Sequence, residues 1–284
     1  MDKKFIGYTT MLLTSIFWGV ECTTAKICLQ VMDPVTLTIT RFLFSLIFFV
    51  PLLIKFWEKP TTKDLVLIIL IGITGVSLFQ TIFFFGLSGM SAGLSSILVS
   101  TAPIFIYLLA ISFLSEQLSF IKILGLVVSF IGIIFIYLNS INSKSAVIAI
   151  ILVLGSAFLW SIYMIISKPI VKKYNPLFVT SLSIVFGTIF LLPFISNSVF
   201  EIMKFDTLQI YSFIFLVVFA TFLAFYLNLK GLQLLPASSA AVFYYICPIF
   251  TMISAYFLIN ESITTNLVIG GILVIGGIAI MTKS

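Results

Sequence analysis

The chain has 284 residues, 61% of them hydrophobic and 8% charged, with a formal net charge of +6. A soluble domain carries about 25% charged residues because water must wet its surface, so a chain this poor in charge needs lipid around most of its exterior. The lysines stand singly between apolar runs with no basic stripe, which argues against nucleic acid, and the lack of histidine removes a Ser–His dyad and any His-ligated metal.

The first apolar run, Phe5 to Cys28, is too long for the core of a secretory signal, and no small-x-small site closes it. It reads as a membrane helix. A spanning helix needs about 20 apolar residues, each rising about 1.5 Å, to cross about 30 Å of hydrocarbon. Ten segments meet this requirement, near 6–28, 35–56, 65–87, 92–114, 120–139, 146–168, 176–196, 209–231, 237–258 and 265–282. The expected fold is therefore all-α, a polytopic membrane protein of ten transmembrane helices with no soluble domain. The stretch 86–140 is the least sharply divided, because only Ser-Gly-Met-Ser and Ser-Glu-Gln interrupt it.

Cys22, Cys28 and Cys247 fall inside apolar segments and are odd in number, so they read as buried thiols and not as a disulfide framework. Lysine placement sets the orientation. With the N-terminus inside, only Lys26, Lys144 and Lys204 fall on the outer side, and the other eleven lysines fall on the cytoplasmic side. That bias predicts ten spans with both termini cytoplasmic.

The two halves of the sequence superpose. Trp18 matches Trp160, Lys26 matches Lys168, Pro34 matches Pro176 and Pro51 matches Pro193, at an offset of 142. Beyond the second loop the offset becomes 145. Gly86 then matches Gly231, Ala92 matches Ala237, Pro103 matches Pro248, Glu116 matches Glu261, and Gly125 and Gly132 match Gly270 and Gly277. The halves are 1–140 and 141–284, together one transport domain. Each holds five spans, an odd number, so the second enters the membrane upside down. Inverted five-helix repeats suit alternating access around a site near the midplane.

Several stretches resemble the EamA family of the drug/metabolite transporter superfamily. They are Ser15-Ile16-Phe17-Trp18-Gly19, Pro34 through Arg41-Phe42, Ala102-Pro103-Ile104, Glu116-Gln117-Leu118-Ser119 and Asn260-Glu261-Ser262-Ile263. The resemblance implies ten helices, inverted repeats and movement of a small organic solute across a bacterial plasma membrane. It implies neither an enzyme nor a cofactor. The second half departs from it at Ser161, where Gly19 stands in the first, and at Ser183, opposite Arg41.

Candidate site residues follow from the cost of polarity in lipid. An ionised Glu21 in mid-helix costs roughly 3 kcal/mol or more. Arg41 lies at a similar depth, about 10 Å below the outer surface at about 1.5 Å per residue. Three readings are open: a structural ion pair with Arg41, a cavity-facing Glu21 that binds a cationic group or carries a proton, or snorkelling of either side chain toward the outer interface. Trp18 and Trp160 lie one turn from Glu21 and Tyr163, where aromatic walls can hold an apolar group or a cation. Gln80, Tyr226, Asn228, Tyr244 and Tyr245 complete the substrate-binding set, since a lipid-facing amide would go unsatisfied. Thr81, Ser95, Ser96, Ser100, Ser238 and Ser239 extend the mid-span polar set, of which Ser95, Ser96, Ser238 and Ser239 read more readily as packing. Pro103 and Pro248 are the candidate hinges.

The aspartates lie at span ends, which excludes a membrane aspartyl dyad; no catalytic residue and no metal ligand is expected. The expected partners are the bilayer, a small-molecule substrate and protons as a candidate coupling ion. An amino acid or similar metabolite is the first substrate class. Choline-like quaternary amines in an aromatic cage, or a passive channel, are the alternatives. The sequence sets neither the direction of flux nor the oligomeric state.

Overall fold

A computed structural model of the chain describes residues 2–114, 120–121, 124–125, 127–128, 131–132, 135, 144–195 and 197–281. Its main helices are α1 (Lys3–Cys28), α2 (Pro34–Lys55), α3 (Thr62–Ser88), α4 (Ala92–Leu114) and α5 (Lys144–Lys173), then α6 (Pro176–Phe194), α7 (Thr207–Leu234), α8 (Ala237–Ile259) and α9 (Thr265–Met281). No strand occurs among the described residues. These helices coincide with nine of the ten expected segments. The expected fifth segment, 120–139, and Glu116 lie mostly outside the described residues.

Helix starts are set by side-chain caps. Asp33 accepts from the backbone N–H groups of Val35 (2.9 Å) and Thr36 (3.0 Å) ahead of Pro34, and Asn175 accepts from Leu177 (2.9 Å) ahead of Pro176. Thr61 caps α3, and Asp206 with Gln209 forms a reciprocal capping box on α7. The largest shift from expectation is at the end of α5, which runs five residues past 168 and through Pro169. The stop comes instead from Asn175 and Pro176. Lys168 stays helical because its ammonium reaches carbonyls of a neighbouring helix end.

Seven helices, α2 to α8, are long and apolar enough to cross a membrane. Helix α1 is 26 residues long, but its Thr10, Thr14, Ser15, Glu21, Thr23 and Thr24 are buried inside the bundle. It is buried mainly from Thr14 onward, whereas Phe5, Tyr8, Leu12 and Leu13 face outward. Helix α9, at 17 residues, is shorter. Polarity is reversed relative to a soluble fold: Ile47, Ile54 and Phe257 are 72%, 73% and 75% exposed, whereas Arg41, Gln80 and Asn228 are at most 1% exposed. Lipid-facing apolar surface costs nothing in a bilayer, and buried polar groups must find partners inside. Many hydroxyls do so by bonding back along their own helix, as Thr14 to the Thr10 carbonyl (2.8 Å) and Ser15 to that of Met11 (2.9 Å).

Helix α1 packs on α7 and α8, α5 packs on α3 and α4, and α2 packs on α6. Small residues permit the closest approaches. A Cβ on Gly19 would stand 2.7 Å from the Cys247 carbonyl oxygen, and one on Gly86 would stand 2.5 Å from Val153. Two helices contain a π-helical turn, Gly72–Leu78 in α3 and Leu216–Leu223 in α7. Helices α4 and α8 are also irregular midway, α4 at the Ser100–Thr101 turn and α8 in the 3₁₀ segment Val242–Ile246.

Candidate functional site

A cavity lies where α1, α3, α4, α5 and α8 meet. Trp18, Phe79, Phe83, Trp160 and Tyr244 supply its aromatic walls, and Glu21, Cys22, Ser96, Ser100 and Cys247 supply its polar atoms.

The two tryptophans meet edge to face, with ring centroids 4.9 Å apart and planes at 88°. Trp160 also stacks on Tyr163 (4.4 Å) and contacts Phe79 (4.8 Å), while Trp18 contacts Phe225 and Tyr244 at 5.7 Å. The indole N–H of Trp18 donates to the Ala220 carbonyl at 3.0 Å. That carbonyl lies in the π-helical turn of α7, where the normal helical ladder is loosened and carbonyls are released.

Glu21 is both ion-paired and placed at the cavity. Its Oε1 accepts from Arg41 Nη1 at 2.5 Å and from Gln80 Nε2 at 3.0 Å, and the residue also lines the cavity. Arg41 lies behind it, outside the lining. The Arg41 Nε donates to Thr221 Oγ1, which in turn donates to the Leu216 carbonyl at 2.7 Å. The same π-helical turn thus holds both Trp18 and the arginine. The guanidinium also sits over Phe42 (5.4 Å) and Phe84 (5.8 Å), while its Nη2 has no hydrogen-bond partner among the described residues.

Opposite this charged cluster lies a neutral one. The Tyr244 hydroxyl donates to Asn228 Oδ1 at 2.5 Å, and Asn228 Nδ2 donates to Met164 Sδ at 3.7 Å. Of the ten substrate-binding candidates, Trp18, Glu21, Trp160 and Tyr244 line the cavity. Arg41, Gln80, Tyr163 and Asn228 form the layer directly behind. Tyr226 is half-buried and Tyr245 is buried, and neither lines the cavity. The prolines stand just after the irregular stretches of α4 and α8, Pro103 as the second residue of a regular helix from Ala102 and Pro248 as the second from Cys247.

Sequence reasoning missed Thr221, Phe79, Phe83, Cys22 and Cys247. The aromatics were indistinguishable among 31 phenylalanines. Thr221 carried no signal, because only the π-helical turn brings it to Arg41. Ser96, read as packing, and Ser100 border the cavity, although each is also engaged between helices: Ser96 accepts from Thr251 (2.9 Å) and Ser100 donates to the Tyr244 carbonyl (3.3 Å).

An aromatic cavity inside a bundle of helices long and apolar enough to cross a membrane marks a multi-span membrane protein. The model of the EamA-like transporter family matches residues 5–138 and 147–283, so the chain belongs to the EamA-like transporter family. An uncharacterized transporter of Archaeoglobus fulgidus is 31% identical over 281 residues, covering 99% of both chains. A probable terminal-alkyne amino-acid exporter of Streptantibioticus cattleyicolor is 26% identical over 226 residues, covering 80% of this chain and 76% of that one. A crystal structure with 17% identity superposes with a TM-score of 0.68 over 99% of this chain and 97% of its own, a likeness of fold. These relatives are named as transporters, and the chain is a membrane transporter rather than an enzyme.

Proposed function

We propose that this transporter moves a small organic solute, an amino acid or similar metabolite, by alternating access, and that the solute sits between Trp18 and Trp160 against Glu21. The observation that carries this reading is the placement of a buried carboxylate on an aromatic cavity at the junction of the two sequence halves.

Two inverted five-helix halves, 1–140 and 141–284, draw support from how contacts exchange between matched positions. Helix α1 lies on α7 and α8, and its match α5 lies on α3 and α4. Gly231 faces Met11 and Gly86 faces Val153, each residue being the counterpart of the other's partner. The family model also matches once in each half. Ten spans, both termini cytoplasmic, and hinge motion at Pro103 and Pro248 in a plasma membrane complete the reading. Two irregular helices at matched places suit the broken helices that transporters use at their binding sites.

An amino acid suits the site better than a quaternary amine. The Glu21–Arg41 pair carries no net charge, so a lone cation would bring an uncompensated charge into the bundle, whereas a zwitterion would not. The unused Nη2 of Arg41 fits a carboxylate once the wall shifts. The exporter from Streptantibioticus, named for an amino acid, points the same way. Glu21 is also the candidate proton carrier.

A thermal-shift screen of detergent-purified protein against amino acids, choline-like amines and nucleosides, followed by flux into proteoliposomes, tests the reading. Stabilisation by an amino acid with saturable flux is expected. Linear, non-saturating flux would make the protein a channel.

A further inference from the structure

Lys168 is buried and Lys26 is half-buried, and the two occupy matched positions on α5 and α1. Each donates to backbone carbonyls of a helix joint. Lys26 Nζ donates to the Met90 carbonyl, in the joint between α3 and α4. Lys168 Nζ donates to the carbonyls of Leu232 (2.6 Å) and Leu235, at the joint between α7 and α8. Met90 and Leu235 are themselves matched at the offset of 145, as the lysines are at 142. Helix C-termini carry partial negative charge and unsatisfied carbonyls, so a desolvated ammonium is well placed there.

The two joints lie at opposite ends of the bundle. Gly7 packs against Leu234 and Leu235, so the second joint sits beside the start of α1, whereas Lys26 is near its end. Nineteen residues separate Gly7 from Lys26, about 29 Å at about 1.5 Å per residue and close to the thickness of a hydrocarbon core. Trp18 and Glu21, and with them the cavity, lie between. The first joint has a second fastening: Glu261 Oε1 accepts from the Ala92 N–H (2.9 Å) and Oε2 from the Gly93 N–H (3.2 Å), tying α4 to the segment that joins α8 and α9.

We propose that Lys26 and Lys168 are paired gate latches, each of which must release its helix joint before that end of the cavity opens, while the other stays engaged. Opening the end near Lys26 means drawing the α3–α4 joint away from α1, and this breaks the Lys26–Met90 bond. Opening the other end draws the α7–α8 joint away from α5 and breaks the Lys168 bonds. Both latches are engaged in this structure. The inference rests on the alternating-access reading, but its test does not require a known substrate.

The thiols of Cys22 and Cys247 line the cavity and serve as reporters in a Cys28→Ser background. A membrane-impermeant methanethiosulfonate is applied to one face of oriented vesicles at a time. Lys26→Met should speed labelling from the face opposite the N-terminus, and Lys168→Met from the face that bears it. Each effect should be about tenfold, the shift in open population expected on losing one charge-assisted hydrogen bond. Glu261→Gln, which removes the carboxylate that acts on Lys26 and ties Ala92 and Gly93, should act on the same face as Lys26→Met and guards against a misfolded lysine variant. Faster labelling from opposite faces supports the latches, even if wild-type flux proves linear and the alternating-access reading falls. Unchanged labelling in variants that remain monodisperse, or faster labelling of both variants from one face, overturns them.

Discussion

Arg41 Nη1 donates to Glu21 Oε1 at 2.5 Å, joining α2 to α1 in the middle of a bundle whose outer surface is apolar. Neither charge is stable there alone. The pair offsets desolvation on both sides, Gln80 and Thr221 fill further sites, and the rings of Phe42 and Phe84 flank the guanidinium. Glu21 remains in the cavity wall, where on the proposed reading its carboxylate faces the solute.

Arg41→Met should therefore be among the most destabilising single substitutions in the chain. It leaves a buried carboxylate uncompensated, which costs about 3–5 kcal/mol. Thermal unfolding in detergent should show this loss, and combining it with Glu21→Leu should recover part of it. A double variant no more stable than Arg41→Met alone would mean that the pair is not coupled.

Trp160→Ala removes the ring that contacts Trp18, Phe79 and Tyr163 around the cavity. Ligand-induced thermal stabilisation should be lost in this variant. By contrast Trp57→Ala, at an exposed position in the α2–α3 connection, should keep it. An aromatic truncation in a core costs about 3–5 kcal/mol of stability, so the ligand shift is to be read against the variant's own baseline.

Gly75→Ala should be poorly tolerated, because the new methyl would run into the Tyr163 ring that stacks on Trp160. Overpacking of this kind costs about 1–3 kcal/mol. Nothing lies within 4 Å of a Cβ on Gly155, so Gly155→Ala should be neutral or stabilising by up to about 1 kcal/mol. Melting temperatures of the two variants check the contrast, which fails if they shift alike.

The helices were legible because hydrocarbon demands long apolar runs, and Asp33, Thr61, Asn175 and Asp206 mark where four of them begin. Glu21 and Arg41 were legible because charge in lipid is rare. Their partner Thr221 was not, since a π-helical turn leaves no pattern among apolar residues. The departure at Ser161 becomes intelligible only in three dimensions. Gly19 lies against the Cys247 carbonyl, and at the matched place the Ser161 hydroxyl donates to the Ala102 carbonyl at 3.0 Å. Glycine and serine are two answers to one close contact. The lysines Lys26 and Lys168 read simply as span-end charges in the sequence, and their grip on the helix joints emerged from the fold.

The ten-span orientation places the two ends of α5 on opposite faces. Lys144→Cys should be labelled by an impermeant maleimide from the outer face and Lys173→Cys from the cytoplasmic face, in a background without native cysteines. Labelling of Lys144→Cys from the same face as the N-terminus would remove the inverted arrangement.

The most direct test of Glu21 as the transport residue is flux of the best-binding solute into proteoliposomes containing wild-type or Glu21→Gln protein. The amide keeps an acceptor for Arg41 and Gln80, so the variant should insert and elute as a single species. Its flux should fall by about thirtyfold or more, the scale of about 2 kcal/mol or more for losing one partner of a buried charged contact, and any pH dependence should go with it. Wild-type flux with unaltered pH dependence in Glu21→Gln would contradict the account.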